Sequence, residues 1–441
     1  MTLSEPRREH WATRAGFLLA AIGSAVGLGN LWGFPYKASA NGGAAFVLVY
    51  LVVILLVCLP LLVVELLIGR RTGESPVLAL AMVGGSRWRW LGYAMTLNAA
   101  VILSFYSVVT GWTLLSAGQT LLFGLPADPG AFFAGISQGP LAIAGHLVAM
   151  LLTAGVIGLG VRGGIERLSL WCMPLLFGLL VAMALWASGL SGAAEGYRFY
   201  LQPDLRELLR WPTLTSAAGH AFFSLSLGLG AIITYASYTE GREGLVGQAS
   251  TIAAADTAVA LVGGLITFPL VAHFNLLGSL SESTLGTLFV AIPTGMASLG
   301  SLGRLVALAF YVVLVIAALT SAVSLLEVAT AALIDRRGWS RRRATLVAVA
   351  VITLLGVLPA SDSRWIDVLY TVFGETGLIF GGLMLAVLVG WGQPRWQGAT
   401  PLLLRRLLRW LASPVLLVLL VQSLIHLPRV IQPLLASPLQ S

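Results

Sequence analysis

The sequence predicts an all-helical integral membrane protein, a single domain over residues 1–441 with about eleven transmembrane helices, the first and sixth interrupted. Three observations predict it: an apolar composition, a regular recurrence of long apolar runs, and a matched pair of glycine breaks. Of the 441 residues, 58% are hydrophobic and 10% charged, and the mean hydropathy is +0.91. A soluble domain carries about 25% charged residues, so this chain cannot solvate a surface of its size. It is also too apolar to remain disordered. The bilayer is the solvent that suits it.

A spanning helix needs roughly 20 apolar residues. Apolar runs of that order fall at 15–36, 44–69, 91–123, 141–160, 166–189, 213–238, 247–275, 303–334, 343–359, 366–391 and 411–427. Cations orient them. With the N-terminus cytoplasmic, inner segments carry 19 basic residues and outer segments 7. The C-terminus then lies outside, periplasmic or extracellular, and the expected location is a bacterial cytoplasmic (inner) membrane. The net charge of +8 is thereby an orientation signal and implies no nucleic-acid partner. The single lysine, Lys37, falls on the outer side. Cys58 and Cys172 lie within apolar runs, so no disulfide framework is implied. No cleavable signal peptide is read before the first span. The outer connections 190–212 and 276–302 are long enough to be either lids or passive covers.

The breaks carry the most information. Span 1 contains Gly27-Leu28-Gly29 and span 6 contains Gly228-Leu229-Gly230. Span 1 starts inside and span 6 outside, so the two halves have inverted topology. Glycine tolerates an unwound backbone, but hydrocarbon cannot satisfy the freed N–H and C=O groups. A ligand or ion can. Half-helix N-termini suit anions and half-helix C-termini suit cations. Paired breaks in inverted halves therefore point to a transport site for a zwitterion with a bound cation. A single Gly-x-Gly would read more simply as helix packing. The matched pair, flanked by Ser24, Asn30, Ser224 and Ser226, favours the site.

The stretches Arg8 to Arg14, Gly23 to Tyr36 (GSAVGLGNLWGFPY), Asn41 to Phe46, Phe222 to Gly228, Tyr235 to Tyr238 and Leu319-Thr320-Ser321 strongly resemble the neurotransmitter:sodium symporter family, over spans 1 to 10 in order. The resemblance implies the five-plus-five inverted-repeat, leucine-transporter-like fold. Residues 1–14 would be a cytoplasmic gate segment, 15–189 the first repeat, 213–391 the second and 411–427 an extra span. It implies sodium-coupled uptake of a small-molecule substrate by alternating access, with two sodium ions.

Matching position by position, one sodium site would use the carbonyls of Gly23, Val26 and Ala317 with the hydroxyls of Thr320 and Ser321. The other would use the Ala25 carbonyl, Asn30, Ser224 and a span-7 residue. That residue is Asp256 without a gap and Ala255 with a one-residue shift. Asp256 is preferred, because a carboxylate in mid-span is costly and usually functional. Asp256, beside the Tyr50, His220 and Ser224 positions of the family's anion site, would also supply the charge that chloride supplies elsewhere. The implied consequences are chloride independence and proton antiport. His220, where Gln is usual, is either a neutral hydrogen-bonded imidazole or a sharer of that proton.

The substrate carboxylate would meet the Leu28 and Gly29 amides and the Tyr106 hydroxyl. The amine would meet the carbonyls of Ala25, Phe223 and Ser224. The side-chain pocket would comprise Ile102, Tyr106, Phe223, Ser226, Leu229, Ser321, Ser324 and Leu325. Monoamine carriers hold Asp where this chain has Gly27, so the resemblance implies an amino-acid carrier, with a neutral and hydrophobic substrate suiting the pocket.

The inner gate would pair Arg8 with Asp335, plug with Trp11, and bond Tyr238 to Glu166. Gly164 and Pro174 have the family's spacing for a span 5 that can unwind. At the outer gate Asp367 matches the family's acid, but Gly33 replaces its Arg partner. Lys37, one turn outward, either compensates or is a solvated vestibule residue beside an aromatic gate of Tyr106 and Phe223. Glu65 matches an acid near the unwound region, Glu327 is expected close to the pocket, and Glu375 has no assignment. A channel on the same scaffold would conduct without concentrating. An enzyme is not expected: the five histidines are dispersed and no nucleophile–base pair is visible.

Overall fold

The structure, a computed structural model, describes residues 9–241, 244–275, 286–392 and 401–436. Its described elements are all helical. Among the described residues, nine continuous helices are long and apolar enough to cross a membrane: Ala44–Thr72, Ser86–Phe123, Pro140–Gly158, Val161–Ser188, Leu245–His273, Gly300–Arg337, Arg341–Ser361, Arg364–Trp391 and Leu402–Gln432. These are spans 2–5 and 7–11. Spans 1 and 6 are the interrupted pair, so the eleven predicted spans are all present. The helices overrun the apolar runs wherever a basic turn continues them, as at Arg336 and Arg337 or from Leu402 to Arg409. A helix ends where its backbone bonds end, not where hydropathy falls. Outward faces are apolar: Leu151 is 69% and Leu354 76% exposed, a surface that only lipid covers favourably.

Span 1 begins at Arg14, where the Thr13 hydroxyl caps the helix by accepting the Gly16 N–H at 2.9 Å. Its inner half, Arg14–Ala25, stops at Val26, whose ψ of 108° is extended. The Asn30 side-chain oxygen accepts the Gly27 N–H at 2.9 Å, standing in for a helical carbonyl. The chain then resumes through wide turns, Gly29–Gly33, and the outer half Phe34–Ala40.

Span 6 comprises Trp211–Ser224, a break, and Ala231–Ser237. Here the break is held by positive φ at Ser226 (52°), Gly228 (80°) and Gly230 (78°). Gly228 must be glycine twice over. Its φ is left-handed, and a Cβ would collide with the Leu378 carbonyl and come within 2.6 Å of the Gly382 nitrogen. The freed Gly228 N–H donates to Glu65 Oε1 at 2.7 Å, so Glu65 does sit at the unwound region.

Span 3 packs along span 8, span 4 along span 9 and span 5 along span 7, forming the frame around spans 1 and 6. Small residues permit the close approaches. A Cβ on Gly111 of span 3 would lie 2.5 Å from the backbone of Gly145 in span 4. Wide turns recur at Val161–Glu166, which contains Gly164, and at Tyr370–Gly377 in span 10. Pro174 lies inside the helix that follows the first of these. The connection 190–212 forms two short helices, Ala193–Leu201 and Leu205–Leu208. Of the connection 276–302, residues 276–285 lie outside the described residues.

Candidate substrate and ion site

The two breaks meet. Ser226 donates its hydroxyl to the Ser24 carbonyl at 3.2 Å, joining span 6 to span 1. Between them lies a cavity of about 40 Å³, room for roughly three waters. All twelve residues predicted to contact substrate line it: Ala25, Leu28, Gly29, Ile102, Tyr106, Phe223, Ser224, Ser226, Leu229, Ser321, Ser324 and Leu325. Ser24, Gly27, Asn30 and Leu378 complete the wall. The Tyr106 hydroxyl accepts the Leu28 N–H at 3.2 Å. A Cβ on Gly27 would stand 3.1 Å from that hydroxyl and 3.0 Å from Ser321 Oγ, so glycine leaves this corner open. The wall is apolar on its Ile102, Leu229, Leu325 and Leu378 sides and polar at the breaks.

The five residues predicted for one sodium ion converge. Ser321 Oγ lies 3.2 Å from the Val26 carbonyl and 3.5 Å from that of Gly23. Thr320 Oγ1 lies 3.2 Å from the Ala317 carbonyl. These are neutral oxygens at the end of a half-helix, a donor set that fits a monovalent hard cation.

On the other side of the break, Asn30 Nδ2 donates to Ser224 Oγ at 2.9 Å and to Asp256 Oδ1 at 2.7 Å. Ser224 donates to Asp256 Oδ2 at 2.7 Å, and the Tyr50 hydroxyl lies 3.5 Å from the same oxygen. Asp256 is fully buried in this network, whereas Ala255 is only partly buried and carries no side-chain donor. His220 is 3% exposed, ringed by Phe34, Phe46, Tyr50 and Phe223, and neither ring nitrogen has a partner among the described residues. The hydrogen-bonded imidazole expected from the sequence is therefore not what the structure shows.

Below the cavity, Trp11 is fixed by two hydrogen bonds and three aromatic rings. Its indole N–H donates to the Tyr235 carbonyl at 2.8 Å, its amide donates to the Tyr238 carbonyl at 3.1 Å, and Phe17, Tyr235 and Tyr238 meet its ring edge-on. Two expectations need correction here. Tyr238 donates its hydroxyl to Glu327 at 2.6 Å, not to Glu166. Glu166 instead anchors the N-terminal segment, accepting the Ala12 and Thr13 amides at 2.7 and 3.0 Å and the Thr13 hydroxyl. Glu327 therefore lies beside Tyr238 and is no part of the cavity wall. Arg341 grips it through two nitrogens at 2.8 and 2.9 Å and reaches Glu9 at 2.7 Å with a third. Arg8 lies outside the described residues; Asp335 accepts the Ser75 amide at 2.7 Å.

Above the cavity, Phe223 is met edge-on by Tyr370 at 5.2 Å. Lys37 pairs with Glu375 at 3.2 Å rather than with Asp367, which is exposed and has no side-chain partner among the described residues. Glu375, Tyr370 and Leu378 of span 10, with Glu9 and Arg341 below, were not legible from spacing. Only the cost of a mid-membrane acid marked Glu375 in advance.

Two interrupted spans of opposite direction, enclosing a buried cavity walled by their freed backbone, define a multi-pass membrane carrier. The model of the Sodium:neurotransmitter symporter family matches residues 8–128 and 135–427. An uncharacterized sodium-dependent transporter of Methanocaldococcus jannaschii is 33% identical over 371 residues, 80% of this chain and 75% of that one. The uncharacterized sodium-dependent transporter YhdH of Bacillus subtilis is 37% identical over 361 residues, 80% of this chain and 79% of its own. The crystal structure of MhsT in complex with L-phenylalanine superposes with a TM-score of 0.86 at 36% identity, covering 94% of this chain and all of that one. The chain belongs to the sodium:neurotransmitter symporter family, a family of transporters rather than enzymes, and has the leucine-transporter-like fold. It is a sodium-coupled symporter.

Proposed function

We propose that this carrier imports a neutral, hydrophobic amino acid with two sodium ions by alternating access, without a chloride requirement and with proton export through Asp256. The observation that carries the reading is the single cavity walled by both breaks. It offers a tyrosine hydroxyl beside backbone N–H groups, freed carbonyls, and an apolar remainder. A zwitterion fits: its carboxylate meets the Tyr106 hydroxyl and the Leu28 and Gly29 amides, and its amine meets the carbonyls of Ala25, Phe223 and Ser224. The open corner at Gly27 leaves the carboxylate space. L-phenylalanine in MhsT supports an amino-acid substrate with a large apolar side chain.

In this reading Gly23, Val26, Ala317, Thr320 and Ser321 hold one sodium ion, and Ala25, Asn30, Ser224 and Asp256 the other. Both lie at the breaks, so their occupancy favours the geometry that binds substrate. Asp256 supplies a fixed negative charge beside Tyr50 and Ser224 where an anion would otherwise be needed. On the empty return step that charge has no sodium to balance it, and a proton taken from the cytoplasm restores neutrality. Residues 15–189 and 213–391 are the inverted repeats, 411–427 the extra span. The arginine distribution supports a cytoplasmic N-terminus, and the bacterial relatives support a cytoplasmic (inner) membrane.

The test is thermal stabilisation of the purified carrier by a panel of neutral amino acids, with and without sodium and chloride, repeated on Asp256→Ser. The expected result is sodium-dependent stabilisation that ignores chloride in the parent and needs it in the variant. Chloride-dependent stabilisation of the parent would refute the role given to Asp256.

A further inference from the structure

Two departures from the family pattern, at positions 33 and 220, meet each other, and Lys37, one turn along span 1 from the first, meets Glu375. Lys37 Nζ stands 3.2 Å from Glu375 Oε1, linking the outer half of span 1 to the wide turns of span 10. The two side chains are 28% and 31% exposed, so the pair lies at the edge of water. Tyr370, in the same turns as Glu375, meets Phe223, which walls the cavity. The pair thus ties span 1 to the turns of span 10 that carry Tyr370, one half of the Phe223–Tyr370 roof.

The glycine at 33 has its own explanation. A Cβ there would come within 3.1 Å of His220 Cε1 and 3.7 Å of Nδ1. The imidazole is buried and hemmed in by Phe34, Tyr50 and Phe223, with ring centroids at 5.7, 6.0 and 6.4 Å. It cannot retreat without repacking those rings. An arginine stem and this histidine compete for one volume, and the charge moves one turn outward, to Lys37, where the same helix face is open.

We propose that the Lys37–Glu375 pair is the electrostatic latch of the outer gate, drawing span 1 onto span 10 over the Phe223–Tyr370 roof. His220 is a positioning residue that fills the space above Gly33, and Asp367 has no part in closure. The proposal rests on the carrier reading for its meaning, but its test needs no substrate.

Ser324 lies beneath the roof, buried in the cavity wall. In a Cys58→Ser/Cys172→Ser background, Ser324→Cys reports roof opening through its labelling rate by an impermeant methanethiosulfonate added outside right-side-out vesicles in sodium. For a partly exposed pair, Lys37→Gln or Glu375→Gln should each speed labelling by about 1.5- to 5-fold. The exchange Lys37→Glu/Glu375→Lys should return it to the parent rate, and Asp367→Asn should leave it there. Single variants that label at the parent rate overturn the latch, as does an Asp367→Asn variant that labels as fast as Glu375→Gln. For the packing half, Gly33→Arg should lower folded yield and Gly33→Arg/His220→Gln should restore it. Equal yields for these two variants overturn the role of His220.

Discussion

Tyr106→Phe isolates one contact. The ring is 92% buried, since Tyr106 is 8% exposed, and phenylalanine keeps that packing. What is lost is an oxygen 3.2 Å from the Leu28 nitrogen, at the corner left open by Gly27. If that oxygen donates to a substrate carboxylate, deleting it removes a hydrogen bond to a charged group, worth roughly 1.5–3 kcal/mol. At about 1.4 kcal/mol per decade, Kd rises roughly 10- to 150-fold. The Leu28 N–H also loses an acceptor, costing about 1 kcal/mol of stability in the empty carrier. The assay is equilibrium binding, at saturating sodium, of the radiolabelled neutral amino acid that most stabilises the parent, with thermal unfolding run in parallel. Its amino-alcohol analogue, which lacks the carboxylate, should bind weakly to both forms and lose nothing more in the variant. A folded Tyr106→Phe carrier that binds that amino acid within about threefold of the parent would refute the clamp.

Thr320→Val keeps the side chain's shape and deletes one of the five oxygens near Gly23 and Val26; the sodium concentration for half-maximal binding should rise several-fold, on the order of one neutral hydrogen bond, as read by sodium titration of the same binding signal. Gly228→Ala places a Cβ against the Leu378 carbonyl at a φ of 80°; a strain of about 1–3 kcal/mol plus the collision should abolish folded yield on size exclusion. Arg341→Gln strands Glu327, which has no exposure, and should destabilise by about 3–5 kcal/mol. Arg341→Gln/Glu327→Gln should recover most of that loss in thermal unfolding, because no buried charge is left unpaired.

The spans were legible because lipid demands long apolar helices. Leu28 and Leu229 are marked by their glycine neighbours, and Asp256 by its cost in mid-membrane, whereas Ile102, Tyr106, Ser321, Ser324 and Leu325, on spans 3 and 8, came only from the family resemblance. Span 10 offered no such mark. Its wide turns, Tyr370–Gly377, carry later residues off the face that regular spacing assigns. The resemblance sets Asp367 at the outer gate, with Lys37 either its partner or a solvated residue; Lys37 meets Glu375 instead. Glu327 and not Glu166 takes the Tyr238 hydroxyl, because both are buried acids and only the fold decides which one faces Tyr238. Arg341 looks in sequence like its neighbours Arg342 and Arg343; what singles it out is the Glu9 and Glu327 carboxylates that the fold brings to it.

The most direct measurement is uptake, into proteoliposomes under an inward sodium gradient, of the neutral amino acid that most stabilises the purified carrier, with the gradient then collapsed by a sodium ionophore. Coupling at the two breaks predicts accumulation above the external concentration, unchanged when gluconate replaces chloride and lost when the ionophore is added. Accumulation that persists without a sodium gradient, or entry that only equilibrates, would contradict it.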